Sequence, residues 1–207
     1  MLKLESMEKY KGSTLKLVLV SGDEEITAFI STETAAKYSL CTSMELENEK
    51  WKEIERSDLL RKARERALYL LDYRDYSYAE MVKKLKQSYD EDICYEVADS
   101  LAEKGIINDL RYAEALARQQ CEVKLYGSYR ARQFLWQKGI PKSVIDRVIE
   151  QYEDDAAERA AQLARRRYMH LYDPNDRELT QKLINALVRH GYSYFQANEA
   201  VKMLEDE

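Results

Sequence analysis

Six glycines and two prolines among 207 residues are too few for long flexible linkers, so any division into units must run through short, tightly specified turns. Three cysteines, Cys41, Cys94 and Cys121, stand apart without CxxC spacing, which argues against a disulfide framework and fits a reducing cytosol. With only His170 and His190 to add, no zinc constellation emerges and structural roles are expected for these side chains. No apolar run approaches the roughly 20 residues of a membrane span. Met1-Leu2-Lys3-Leu4-Glu5 does not lead into an apolar segment with a small-residue cleavage site, so no secretory signal is expected. GxxxxGK(S/T), GxSxG and HExxH are all missing, and no cysteine has an evident histidine partner. Neither catalysis nor a cofactor nor a metal is expected.

What is present is charge and amphipathic patterning. Charged residues make up 34% of the chain and the mean hydropathy is -0.64, with apolar residues in short runs, as in a helical protein with a large solvated surface. The net charge of -5 argues against general attraction to nucleic acid, but it is unevenly spread. Residues 105 to 150 carry 8 basic against 5 acidic side chains, whereas every other stretch is net acidic. The middle of the chain is the positive part.

Leu15 to Val20 is apolar and β-branched, Ser21-Gly22-Asp23 supplies turn chemistry, and Glu25 to Ile30 alternates, which predicts a β-hairpin with a candidate first strand near Leu2 to Tyr10. Ser31 to Leu40 reads as a short helix and Glu45 to Leu60 as a charged helical connection. From Asp58 onward every periodic segment is helical. Ser77-Tyr78-Ala79-Glu80 is a capping box. Gly105, Gly139 and Gly191 are placed to end helices in the left-handed conformation. Asn108 and Asp109 are cap candidates, and Pro141 sits at a helix's first turn.

Aligning the segments on Leu85, Leu135 and Leu187 gives separations of 50 and 52 residues. The reading is therefore mainly α: three tandem three-helix, helix-turn-helix-like repeats over 58–107, 108–153 and 154–207, behind an N-terminal β-hairpin segment and connecting helix over 1–57. Three short helices cannot cover their own apolar faces, so the repeats are expected to stack into an elongated curved array.

Four segments, Tyr73-Arg74-Asp75-Tyr76-Ser77-Tyr78-Ala79-Glu80, Gly105 to Ala113, Gly127 to Ile140 and Arg189-His190-Gly191-Tyr192-Ser193, occur in an order and spacing that resembles the RecX family, bacterial modulators of the RecA recombinase. The resemblance covers almost the whole chain. It departs after Leu85, where Lys86-Gln87-Ser88-Tyr89 lacks the family's usual glycine, and at Arg189-His190, where two basic residues are commoner. The resemblance implies a cytoplasmic monomer without catalytic activity in DNA repair, recombination and the SOS response. It would lie along the RecA–DNA filament, restrain its ATPase and strand exchange, and meet DNA mainly through that complex, with at most weak direct binding. A stand-alone helical DNA-binding protein, or an adaptor for another protein, stays open on the residues alone.

Tyr129, Arg132 and Trp136 fall at i, i+3 and i+7 and share one helix face, a guanidinium beside two rings suited to carboxylates or to the phosphates and bases of DNA. Arg130, Arg132 and Lys138 are expected to make contact as a group, being part of the positive unit and of the family motif. Packing of Trp136 on a neighbouring unit is the alternative. Arg111 is a further candidate, although local pairing of Arg111 and a core position for Tyr112 fit the cap equally. Arg165, Arg166 and Arg167 form an exposed basic run that could meet DNA backbone or an acidic partner.

Overall fold

The computed structural model describes residues 1–205, and the last two residues of the expected 154–207 repeat lie outside that range. The chain folds as two compact units, Met1–Tyr73 with Leu85–Ser100, and Arg74–Lys84 with Leu101–Glu207.

The first unit opens with three antiparallel strands, β1 (Leu2–Lys11), β2 (Thr14–Ser21) and β3 (Glu24–Ser31). Two-residue loops join them, and Gly12 (φ 57) and Gly22 (φ 63) take the positive-φ position that such loops require. A two-residue strand, β4 (Glu45–Leu46), pairs on the free side of β1, giving the order β3-β2-β1-β4. The expected hairpin, β2 with β3, thus forms one side of a four-stranded sheet, with β3 at its edge. Its buried face carries Leu2, Leu4, Leu17, Leu19 and Ile30, which pack with Trp51 and Ile54. The candidate first strand near Leu2 to Tyr10 is β1, and only its first few residues supply buried side chains.

Ser31 caps α1 (Thr32–Lys37), its hydroxyl accepting from the Thr34 amide at 2.9 Å. The expected charged connection and the start of the first repeat prove to be one unbroken helix, α2 (Asn48–Leu71). Its buried stripe runs Trp51, Ile54, Asp58, Ala63, Ala67, so a carboxylate interrupts the apolar pattern. Asp58 is 2% exposed and accepts from the Ser31 amide (3.0 Å) and the Thr34 hydroxyl (2.8 Å), while Lys62 pairs with it at 2.7 Å. Those bonds join the end of β3, the cap of α1 and the middle of α2. Arg56 of α2 pairs with Asp92 and Glu96 of α4 (Glu91–Glu103), each at 2.5 Å. The turn Lys86 to Tyr89 closes through Ser88 and Tyr89 amides donating to the Leu85 carbonyl, without a left-handed residue, so the missing glycine is not needed there.

In the second unit, α3 (Tyr78–Leu85) contributes its residues through Lys84, followed by α5 (Asp109–Arg118), α6 (Ser128–Gln137), α7 (Lys142–Glu150), α8 (Ala156–Arg167), α9 (Arg177–Arg189) and α10 (Tyr194–Glu205). The capping box forms, with the Glu80 amide donating to Ser77 Oγ (3.0 Å) and the Ser77 amide donating to Glu80 (3.4 Å). Asn108 accepts from the Arg111 amide at 3.0 Å. Gly105 (φ 68), Gly139 (φ 73) and Gly191 (φ 95) are left-handed as expected. Pro141 is the cap of α7, immediately before its first helical residue. The second repeat closes over Ala117, Cys121, Leu135, Ile145 and Ile149, and the third over Ala160, Leu163, Leu183, Leu187 and Val201.

One joint occurs twice. Gly127 leaves the start of α6 without a side-chain cap, and the third repeat supplies the missing acceptors: the Gly127 amide donates to the His190 carbonyl (3.0 Å) and the Tyr129 amide to the Gly191 carbonyl (3.1 Å). Likewise the Lys138 carbonyl, in the turn after α6, accepts from Ser77 Oγ at the start of α3 at 2.5 Å, and Gly139 lies against Ala79. The turn following the middle helix of each repeat therefore seats on the start of the middle helix in the repeat before it. A Cβ on Gly127 would lie 2.2 Å from the backbone of Gly191.

Two outcomes are expected from these contacts. Gly127→Ala should lower stability by about 2 kcal/mol or more through backbone overlap, since its φ of -69° suits alanine and adds no strain of its own; thermal unfolding of the variant beside the parent measures that loss. Burial opposes ionisation of Asp58, but the bonds from Lys62, Ser31 and Thr34 prevail and hold its pKa below the ordinary 3.8. A lowered native pKa means that the contribution is fully present above the unfolded value and is lost as pH falls through the native one. Asp58→Asn should therefore cost about 2 kcal/mol at neutral pH and progressively less below pH 4, which denaturant titrations at several pH values would measure.

Candidate partner-binding surface

Helix α6 presents two faces. Ala131 and Leu135 are buried, while Tyr129 and Trp136 are 67% and 65% exposed. Trp136 is therefore not packed away beneath a neighbouring repeat. Arg132 lies on the Tyr129–Trp136 face and is oriented by Asp146 of α7, with Glu153 at 3.7 Å. A shallow groove of about 490 Å3 runs between the two helices, lined by Arg132, Gln133, Trp136, Lys142, Ile145 and Asp146 among others. Gln133, Lys142, Ile145 and Asp146 were not candidates on sequence grounds. Lys142 and Asp146 do repeat at i and i+4 on α7, so pairing its solvent stripe with that of α6 would have found them, whereas Ile145 is a core residue that only edges the groove.

The remaining candidates separate. Arg130 stacks 4.1 Å above the Tyr126 ring. Lys138 is turned inward to Glu80 at 3.1 Å. Arg74 pairs with the same Glu80 at 3.2 Å and donates to the Tyr112 hydroxyl, which itself donates to Glu80 at 3.3 Å. Burial works against a charged Glu80, yet hydrogen bonds from Arg74 and Lys138 outweigh it and keep its pKa below the ordinary carboxylate value. Burial, reinforced by Glu80, pushes the Tyr112 hydroxyl up to about 12. Tyr112 is thus a core residue that completes an ionic network. Arg111 is exposed and reaches the Ile106 carbonyl (3.3 Å) and Asp75 (3.7 Å), the local pairing its cap position suggested. Arg165, Arg166 and Arg167 form the exposed last turn of α8, outside the α6–α7 groove. Burial first, then the charges of Arg130, Arg167 and Arg189, depress the His190 pKa, so at neutral pH Arg189 alone carries charge in that pair.

Among the described residues, no three His, Cys, Asp or Glu side chains gather in a way that could hold a metal ion, and no helix is long and apolar enough to cross a membrane. Cys94 and Cys121 are buried and Cys41 is exposed, all three unpaired; burial pushes the Cys121 thiol up to about 11, which suppresses the reactive thiolate.

The repeats match family models for the first, second and third RecX three-helix domains over residues 63–101, 108–149 and 153–201. Regulatory protein RecX of Clostridioides difficile is 27% identical over 83% of this chain and 82% of its own length. Its namesake in Streptococcus thermophilus is 27% identical over the whole chain and 78% of its own length. A Listeria monocytogenes RecX is 31% identical over 83% of the chain, and the match spans 64% of that longer protein. A crystal structure of regulatory protein RecX superposes with a TM-score of 0.75 at 25% identity over all of both chains, and that of RecX from Lactobacillus salivarius gives 0.67 at 26% over 73% of this chain and 99% of the other. Three consecutive domain matches in the family's order, on a fold shared with its solved structures, establish that this chain belongs to the RecX family of regulatory proteins.

Proposed function

We propose that this protein binds the RecA–DNA filament as a cytoplasmic monomer and restrains the recombinase's ATPase and strand exchange, so that it acts in DNA repair and recombination. The observation that carries the reading is the solvent-facing pair Tyr129 and Trp136 on the Arg132 face of α6, where Arg132 and Trp136 line the α6–α7 groove. Large rings held in solvent on a rigid helix lose little conformational entropy on docking, and Trp, Tyr and Arg are the side chains over-represented at energetic centres of interfaces. Asp146 and Glu153 hold Arg132 in place before a partner arrives. Arg130 and the exposed Arg165–Arg167 turn supply positive charge for phosphate or acidic partner surfaces, while Arg111 and Lys138 are engaged with neighbours in this fold. Regulation here requires binding only, which accords with a surface of exposed anchors.

Co-sedimentation with RecA filaments, alongside RecA's DNA-dependent ATPase, tests this directly. Tyr129→Ala with Trp136→Ala should raise the concentration needed for inhibition by roughly 30-fold, the equivalent of about 2 kcal/mol of lost anchoring. Its melting temperature should stay close to the parent's because both rings are exposed. A folded double variant that inhibits like the parent would remove α6 from the interface. If Arg166→Gln with Arg167→Gln then abolished inhibition, the contact would move to α8.

A further inference from the structure

On the other side of α6 the chain makes a second concavity whose chemistry differs from that of the α6–α7 groove. Helix α5 runs into a π-helical turn, Gln119–Val123, and Leu125 then adopts φ 55. A branched residue is held in the left-handed region only when its surroundings insist. Here the Leu125 side chain is buried in the third repeat's core and its carbonyl accepts from the Tyr192 hydroxyl at 3.0 Å. Lys124 and Tyr126, on either side of it, are thereby placed with Arg130 and Phe134 of α6 around a cavity of about 330 Å3.

Two rings, two cations and the carboxamides of Gln120, Gln133 and Gln137 line this cavity, and no carboxylate does. The α6–α7 groove, by contrast, carries Asp146, and the concavity beside α8 carries Glu122, Asp155 and Glu158. Arg130 lies 4.1 Å over the Tyr126 ring, and Lys124 lies 5.6 Å from the centre of Phe134 and 6.0 Å from that of Tyr126. Neither cation has a carboxylate within ion-pairing distance among the described residues, unlike Arg132 and Lys138 on the same helix and its turn. Tyr126 is also stacked on His190, at 5.6 Å between ring centres and 25° between planes, which fixes its ring. Gln120 is 1% exposed yet makes only a long bond of 3.4 Å to Gln119, which leaves amide capacity unspent at the cavity wall.

We infer that this cavity is a binding site for one nucleotide unit, its base drawn to the Phe134 side and edged by the glutamine amides, its phosphate met by Lys124 and by Arg130, which Tyr126 seats. Rings bind bases of any sequence through their faces, amides reach base edges, and unpaired cations take the phosphate. The base must be free of a double helix, so single-stranded nucleic acid or a free nucleotide is the source. This shares Arg130 with the RecA reading but is tested without RecA.

Fluorescence anisotropy of a labelled 12-nucleotide oligothymidylate on the full chain at low salt, with the duplex form, deoxyadenosine monophosphate and inorganic phosphate as competitors, decides it. Binding of the single strand in preference to duplex is expected. Lys124→Gln with Arg130→Gln should weaken it about tenfold or more and flatten the salt dependence, since two phosphate-facing cations are lost. Tyr126→Leu should weaken it with the salt slope unchanged, and Tyr126→Phe should restore it, while Lys182→Gln on α9 should not matter. Competition by the mononucleotide at concentrations comparable to the strand's own nucleotide units would assign the free nucleotide as the natural source. Equal competition by inorganic phosphate would overturn the stacking half of the inference. Absence of single-strand binding, or a double variant binding like the parent, would overturn the whole, and because both substituted side chains are paired with no carboxylate, that variant remains decisive should Tyr126→Leu fail to fold.

Discussion

The second unit depends on the satisfaction of helix starts by backbone from the next repeat. The first amides of any helix lack partners within it, and burying them unpaired costs as much as a lost hydrogen bond. For α6 the acceptors are the carbonyls of His190 and Gly191, more than 60 residues along the chain. The requirement that these two backbones meet leaves no room for a side chain at Gly127, and any Cβ on Gly191 would press on Arg130 at 2.5 Å. Two glycines of different backbone conformation are thus needed for one joint, the first for space and the second for space and positive φ together.

The same arrangement explains where polar side chains went. At the α3 joint Ser77 does two jobs, accepting from the Glu80 amide and donating to the Lys138 carbonyl, so the capping box is also a link between repeats. Glu80 in turn gathers Arg74, Lys138 and the Tyr112 hydroxyl, an ionic cluster in which each member satisfies another. Lys138, drawn into that cluster, holds the turn that seats on α3. The Lys86–Tyr89 turn closes without a glycine because none of its residues takes a positive φ.

With its start held by one repeat and its end seated on another, α6 is a rigid ridge, and both proposed surfaces lie on its flanks. One flank shows Arg132 and Trp136 toward the α7 groove, with the arginine set by acidic neighbours and Tyr129 exposed a turn away. The other shows Arg130, Gln133 and Phe134 toward the π-helical turn and Leu125, with cations set only by rings. A protein-facing and a nucleotide-facing side on one helix would suit the proposed partner, itself a protein–nucleic acid complex.

Local rules determined a large part of this. The helical repeats, the capping box at Ser77, the cap at Asn108 and the left-handed terminators Gly105, Gly139 and Gly191 depend on hydrogen bonds and steric preferences that span only a few residues, so they were legible in the sequence. So was the shared face of Tyr129, Arg132 and Trp136, because helical periodicity alone sets it. The short strand β4 and the unbroken course of α2 were not, since each is stabilised by partners distant in sequence: β4 by β1, and the α2 stripe by the bonds that let it bury Asp58. Nor could the sequence distinguish Lys138, drawn to Glu80, from Arg130, which is not paired with a carboxylate, since both are basic residues of one motif. Tertiary structure decided that, because ion pairing and exposure depend on which carboxylates the folded backbone brings within reach, and no periodicity encodes that distance.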